Sequence, residues 1–126
     1  MFQVNVKVAN PQDPAKLFEE PFWVDTGALY SFVPEDRLHA IGLSPKFTRG
    51  FVLADGRRDR RLVGVADVAV ETLADTIPCL VVFGLPGSLF LLGATALENF
   101  CVQADPASQT LRPITAVIGT MLTGRF

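Results

Sequence analysis

Hydrophobic and polar residues alternate along much of the chain with the two-residue period of β-strands. This alternation predicts strands at residues 2–8 and 17–24, joined by a turn cluster at Asn10–Pro14. Many short strands with frequent turn residues between them favour a mainly β protein. The further predicted strands lie at residues 46–54, 60–71, 76–84, 89–92, 100–104 and 110–114.

Two short segments have the features of helices instead. Residues 34–42 begin with a proline and two acidic residues, place Leu38 and Ile41 on one face, and end at a glycine. Residues 94–99 form the second predicted helix. We therefore expect two short helices in a chain otherwise built from strands.

An Asp-Gly pair at Asp55 and Gly56 separates the strands predicted at 46–54 and 60–71. Such a pair favours a tight hairpin turn because both positions tolerate positive φ. The sequence therefore predicts a long, protruding β-hairpin around residues 52–63.

Composition and charge limit the possible partners. The 126 residues are 49% hydrophobic and 19% charged, which is enough to bury a core, and we expect one domain over residues 1–126. The net charge is −2, so the arginines at 57–61 are interpreted as a solvated surface and not as a nucleic-acid site. The most apolar stretch, 80–93, is too short to span a membrane, and the N-terminus does not resemble a secretory signal. We predict a cytoplasmic protein with neither nucleic acid nor membrane as partner.

The cysteines and the single histidine do not suggest a metal centre. Cys79 and Cys101 fall in apolar, strand-like segments, where a free cysteine acts as a small hydrophobic residue, and cytoplasmic thiols stay reduced. His39 is the only histidine and there is no Cys-x-x-Cys pair, so we expect no zinc site and no cofactor. His39 is expected on the surface of the first helix.

An aspartate directly follows the apolar run at residues 22–24. Asp25 is succeeded by Thr26, Gly27 and Ala28, so a strand delivers a carboxylate to the edge of the core. The threonine can hydrogen-bond neighbouring backbone, and the glycine permits another chain to approach closely. A strand-terminating Asx turn would use the same residue types. The tripeptide alone leaves both a catalytic carboxylate and a simple turn open.

A second motif, Leu91-Leu92-Gly93, stands about 65 residues downstream and precedes the helix at 94–99. The order of these features along the chain is the order found in retropepsins. It is a strand, Asp-Thr-Gly-Ala, a hairpin, an apolar-apolar-Gly motif and a short helix. The chain resembles the single-domain bacterial and cellular relatives of that family over residues 4–114. The resemblance extends to residues 6–11 and to the hairpin residues Leu53, Ala54, Asp55, Gly56 and Arg57.

The resemblance implies the acid protease fold, a closed β-barrel with two short helices and a flap hairpin, and it implies aspartic endopeptidase activity. Asp25 would be the catalytic residue, and Thr26, Gly27 and Ala28 would complete its loop. The hairpin at 52–63 would fold as a flap over a peptide or protein substrate. No metal would take part.

The resemblance also implies a homodimer. Aspartic catalysis needs two carboxylates about 3 Å apart that share one proton. Asp-Thr-Gly occurs once and the chain has no internal repeat, so a second chain would supply the other aspartate in a C2 dimer. Many viral members carry an ion-paired aspartate and arginine where this chain has Leu29 and Ala94, which leaves the detailed dimer geometry open.

The tail at residues 114–126 is apolar and follows the last predicted turn. An exposed apolar edge would invite aggregation, so we expect the tail to add a strand at the dimer interface alongside residues 2–8.

Two other functions remain open from the sequence. A retropepsin-fold module could bind peptides or assemble without cleaving them, although an inert binder would not need Asp25. An unrelated small β-barrel could bind an apolar ligand. The hypothesis of an unrelated β-barrel explains neither Asp25 nor the motif at 91–93.

Overall fold

The structure is a computed structural model and describes residues 1–115. Strands account for 54% of these residues and two short helices for 10%, so the predicted mainly β class and the two helices are confirmed. The elements, in chain order, are β1 (Gln3–Asn10), β2 (Asp13–Val24), β3 (Ser31–Pro34), α1 (Glu35–Ala40), β4 (Phe47–Val52), β5 (Arg58–Val70), β6 (Thr76–Gly84), β7 (Leu91–Leu92), α2 (Ala94–Asn99), β8 (Val102–Asp105) and β9 (Thr110–Pro113).

Six of the strands close into a ring in the order β1, β2, β7, β3, β6 and β5, with β5 returning to β1. The pairs β2–β7 and β3–β6 are parallel, and the other neighbours in the ring are antiparallel. The 13-residue strand β5 has two roles, because its first half pairs with β4 and its second half with β1. Within residues 1–115, strand β4 pairs with β5 alone and so forms the outer strand of a hairpin, while β8 and β9 form a separate two-stranded sheet.

The core lies inside the ring, where the alternating positions of the strands meet. In β5, for example, Ala66, Val68 and Val70 are buried while the residues between them are half-exposed. The apolar positions that recur every two residues in the sequence are therefore the positions that are buried. Helix α1 packs against this core through Leu38, and Ile41 directly after the helix is buried as well; the two residues are 0% and 5% exposed, as the sequence predicted.

The hairpin is present, but its turn is wider than the Asp-Gly pair suggested. Only Gly56 has a positive φ, of 84°, whereas Asp55 does not. The N–H of Leu53 donates to the carbonyl of Arg57 at 2.7 Å, so the tip spans Leu53–Arg57. The Asp55 carboxylate accepts the N–H of Arg57 at 3.0 Å, and this Asx turn removes the need for a left-handed aspartate.

Strand β3 was not predicted from the sequence. Its four residues pair in parallel with β6, and Phe32 also pairs with Leu91 of β7. A strand this short depends on neighbours that lie about 50 residues away in the chain, so local alternation does not reveal it.

The prediction for Cys101 was wrong, whereas Cys79 is buried in β6 at 2% exposure as expected. Cys101 is exposed and adopts a φ of 53° directly after α2. Its N–H donates to the carbonyl of Glu98, so the residue ends the helix and the strand begins only at Val102. The apolar residues on either side of Cys101 have the pattern of a strand, so the sequence predicted the strand two residues too early. Both thiols are free.

Most of the tail, residues 116–126, lies outside the described residues, and with it most of the interface strand expected at 114–126. Strand β1 limits where such a strand could pair. Its residues Val6–Ala9 are hydrogen-bonded to β2 on one edge and to β5 on the other. The carbonyl of Asn5 also accepts the N–H of Glu71, so within residues 1–115 the start of β1 lacks a second partner strand only at Gln3 and Val4.

The two thiols should differ in reactivity. Burial raises the pKa of Cys79 to about 11, so it remains a protonated and inaccessible thiol at neutral pH. We expect a disulfide reagent such as DTNB to label Cys101 rapidly in the folded protein and Cys79 only after unfolding in guanidinium chloride. Cys101→Ser should abolish the rapid phase and Cys79→Ser should leave it intact. Rapid labelling of both native thiols would contradict the burial of Cys79.

Candidate active site

Asp25 is the first residue after β2, at the point where the strand leaves the ring. Its backbone N–H donates to the carbonyl of Leu92 at 3.0 Å, so β7 fixes where the chain turns. Val24, one residue earlier, is only 3% exposed, whereas Asp25 is half-buried. The strand thus brings a carboxylate from the core to the surface, as the sequence indicated.

The loop that follows is an Asx turn. The N–H of Gly27 donates to Oδ1 of Asp25 at 2.9 Å, and the N–H of Ala28 donates to the Asp25 carbonyl at 3.2 Å. Thr26 is exposed. The other carboxylate oxygen, Oδ2, has no hydrogen-bond partner among residues 1–115. The sequence left open whether Asp25 forms an Asx turn or presents a carboxylate for chemistry. In the structure one oxygen of Asp25 forms the turn and the other remains available.

The two motifs meet through the parallel pairing of β2 and β7. Trp23 lies opposite Leu91, and Val24 lies opposite Leu92. The N–H of Trp23 also donates to the carbonyl of Phe90 at 2.9 Å. Residues that are widely separated in the sequence are therefore joined by backbone hydrogen bonds directly beside Asp25.

The N-terminus of α2 binds the same loop from its other side. The first N–H groups of a helix have no partner within the helix. Here the N–H of Ala94 donates to the carbonyl of Ala28 at 2.8 Å, and the N–H of Thr95 donates to that of Leu29 at 2.9 Å. Each loop carbonyl satisfies one helix donor. Leu29 itself is 62% exposed, so it presents apolar surface beside the Asp25 loop.

Gly93 stands at the closest approach of the two segments. A Cβ atom built on it would overlap the carbonyl of Tyr30 and lie 2.9 Å from the carbonyl oxygen of Ala28. Its φ is −92°, a value that any residue adopts, so the requirement for glycine is steric. The glycine of the second motif is needed because two backbones touch there.

Ser31 is a site residue that the sequence did not indicate. Its Oγ accepts the N–H of Gly93 at 3.1 Å, and the residue is only 2% exposed. A buried hydroxyl without a partner is destabilising, so this bond holds β3 against the start of α2. The one available signal was a serine among apolar residues at 30–33.

The Asp25 carboxylate lines a cleft of about 260 Å³, together with Thr26, Val24 and residues from the N-terminus and β8. A second, more apolar groove of about 290 Å³ lies beneath the β4–β5 hairpin. The residues that line this groove are Phe32, Phe51, Leu53, Arg61, Gly84, Leu85, Ser88, Leu89 and Leu91. Leu91 lines this groove and also pairs with Trp23 of β2, two residues before Asp25.

Aromatic contacts hold the hairpin over this groove. The Phe51 ring meets the rings of Tyr30 and Phe32 edge-on, with centroid distances of 5.9 and 5.8 Å. Of the predicted flap residues, only Leu53 lines the groove. The other four, Ala54, Asp55, Gly56 and Arg57, are exposed at the tip. Phe51 was missing from that prediction because its importance depends on β3, which the sequence did not reveal.

No protein-family model matches the sequence, and a search of curated proteins finds no significant match. Within residues 1–115, no three His, Cys, Asp or Glu side chains are grouped so that they could hold a metal ion. In the same part of the chain, neither helix has the length and apolar character that crossing a membrane requires.

The steric role of Gly93 can be tested with a matched pair of variants. Gly93→Ala should lower the free energy of unfolding by about 1–3 kcal/mol, because the added methyl group must displace the Tyr30 backbone. Gly50→Ala is the control, since a Cβ there meets nothing within 4 Å, and its effect should stay within about 1 kcal/mol. Urea denaturation followed by Trp23 fluorescence measures both. An unchanged midpoint for Gly93→Ala would contradict the close contact.

Proposed function

We propose that the chain is an aspartic endopeptidase of the retropepsin type, active as a homodimer, and that its six-stranded ring is the closed barrel of the acid protease fold. The observation on which the proposal rests is the placement of Asp25. Its backbone is hydrogen-bonded to β7, its loop is bound to α2, and its Oδ2 is left without a partner among residues 1–115. Such hydrogen-bonded support for one half-buried carboxylate suits catalysis better than it suits a surface turn.

The second carboxylate comes from a second copy of the chain. Asp-Thr-Gly occurs once in the 126 residues, so one chain holds half of a catalytic pair. In the dimer, the two Asp25 side chains share one proton at about 3 Å because two like charges that close cannot both ionise. The exposed Leu29 lies next to this loop and offers apolar surface for the partner.

The chemistry needs only these two groups and a water molecule. The ionised Asp25 accepts a proton from the water as the oxygen attacks the scissile carbonyl carbon. The protonated Asp25 of the other chain donates to the carbonyl oxygen and so stabilises the developing charge. Collapse of the tetrahedral species then breaks the C–N bond as the nitrogen takes the proton that the first Asp25 accepted from water. The second Asp25 regains a proton from the hydroxyl group that becomes the carbonyl of the new carboxyl group.

The groove beneath the hairpin favours an extended peptide with apolar side chains as substrate. Its lining is largely aromatic and aliphatic, with Phe51 and Leu53 on the hairpin and Leu89 on the opposite loop. Hairpin closure over a bound peptide would exclude water from the carboxylates. A cytoplasmic location belongs to the same proposal.

A peptide-binding module without cleavage is the second candidate. One observation favours it, because the groove beneath the hairpin and the Asp25 cleft have no lining residue in common. Such a module would use the groove and would not depend on the carboxylate. Substitution of Asp25 separates the two candidates.

Asp25→Asn should reduce kcat by about 10²–10⁴-fold because the amide cannot accept a proton from water. The fold should persist, since the amide oxygen can still accept the N–H of Gly27. Hydrolysis of an internally quenched apolar peptide library measures the loss, with Asp75→Asn on an exposed loop as the control. A variant with wild-type turnover would refute catalysis by Asp25. Peptide binding without cleavage by the wild-type protein would favour the second candidate.

Mixing the wild-type chain with Asp25→Asn tests the shared site. When equal amounts exchange freely, about half of the wild-type chains pair with an inactive partner, so activity should fall to about half of that of the same wild-type protein alone. Peptide hydrolysis after co-refolding gives the measurement, and an equal addition of Asp75→Asn should cause no loss. If Asp25→Asn also caused no loss, each chain would act independently.

A further inference from the structure

The two faces of the β4–β5 hairpin present different side chains. Cross-strand partners point to the same side of a sheet, and successive residues point to opposite sides. One side faces the groove with Phe51 and Arg61. The other side, which we call the outer face, is exposed at every position. The outer face consists of Thr48, Gly50, Val52, Arg58, Arg60 and Leu62.

Two guanidinium groups on the outer face have no ionic partner within residues 1–115. The neighbouring arginines on the hairpin are paired, Arg57 with Asp55 at 2.6 Å and Arg61 with Asp59 at 2.9 Å. Arg58 and Arg60 make no such pair among the described residues. Since they are two positions apart on one strand, they point the same way at a spacing of about 6.5–7 Å.

The same face has exposed apolar surface and a hollow. Val52, opposite Arg58, is 70% exposed, and Leu62 is 43% exposed. Gly50, opposite Arg60, has open space where a side chain would lie. The concave surface at this end of the hairpin has a volume of about 570 Å³ and is lined by residues 50–52 and 58–60.

We propose that the outer face is a docking surface for an extended, acidic polypeptide segment. An extended segment repeats the spacing of the strand, so carboxylates two positions apart would meet Arg58 and Arg60. An apolar residue two positions further along would meet Leu62. Each guanidinium can bind a carboxylate through two parallel hydrogen bonds, and the hollow at Gly50 leaves room for the segment. This docking does not depend on catalysis by Asp25.

A polypeptide suits this face better than a nucleic acid. Proteins that bind single strands combine positive charge with aromatic side chains on which bases stack. The outer face has no aromatic residue, and Phe51, which also lines the concave surface, packs edge-on against Tyr30 and Phe32 instead. The chain as a whole has a net charge of −2, which opposes a long polyanion. A short acidic segment with an apolar residue matches both the local charge and the exposed Val52 and Leu62.

Fluorescence anisotropy with the full-length Asp25→Asn chain tests the docking without cleavage. The probe is a labelled peptide, Ser-Glu-Ser-Glu-Ser-Leu-Ser, and the comparison probes carry Gln or Lys in place of Glu. We expect the Glu peptide to bind more tightly than both, with an affinity that falls as salt is added. Arg58→Glu and Arg60→Glu should each weaken binding about tenfold. Arg49→Glu is the control, because it makes the same charge change on the other face of the hairpin.

A steric variant tests the hollow independently of charge. Gly50→Phe should also weaken the Glu peptide, while circular dichroism should show an intact fold because space is open at that position. Equal binding of the Gln peptide, an equal loss in Arg49→Glu, or binding unchanged by Gly50→Phe would overturn the proposal. Tighter binding of a single-stranded oligothymidylate would overturn it in favour of nucleic acid. Loss of the dimer on Arg58→Glu in sedimentation would assign the face to a second copy instead.

Discussion

The parallel pairing of β2 with β7 determines where Asp25 lies, and the candidate site depends on it. Only two residue pairs form this contact, Trp23 with Leu91 and Val24 with Leu92. The segments immediately beyond approach so closely that Gly93 has no room for a side chain. Nearly every contact is between backbone groups, so the arrangement depends on complete hydrogen bonding far more than on particular side chains. Ser31 contributes a side chain instead, because its hydroxyl oxygen accepts the N–H of Gly93.

The two faces of the β4–β5 hairpin serve two different surfaces of the molecule. Because side chains alternate along a strand, one pair of strands presents Phe51 and Arg61 to the groove and a basic outer face to solvent. Phe51 ties the inner face to β3 through Tyr30 and Phe32. Ion pairs neutralise Arg57 and Arg61, whereas Arg58 and Arg60 have no ionic partner among the described residues and lie on the outer face. The proposed substrate groove and the proposed docking surface are thus two sides of the same element.

In the proposed enzyme, activity and association are coupled. A single chain supports one carboxylate on a rigid backbone, and the shared proton exists only when a second copy brings its own Asp25 close. Activity would therefore follow the concentration of the dimer, and any ligand that favours the dimer would favour catalysis. The exposed Leu29 lies beside the Asp25 loop, so the contact between the proposed partners there would be apolar.

The sequence by itself determined the mainly β class, the long hairpin, both helices and the position of Asp25 at the end of a strand. These features follow from local causes, namely the two-residue alternation, the proline and glycine at the ends of α1, and an acid directly after an apolar strand. Strand β3, Ser31, Phe51 and the exposure of Cys101 were decided by the tertiary structure. Each depends on a neighbour that is remote in the chain or on a helix end that sequence alternation does not mark. The same distinction applies to Asp25, because the sequence placed it at a strand end, while the hydrogen bonds with β7 and α2 fix the path of the loop that it begins.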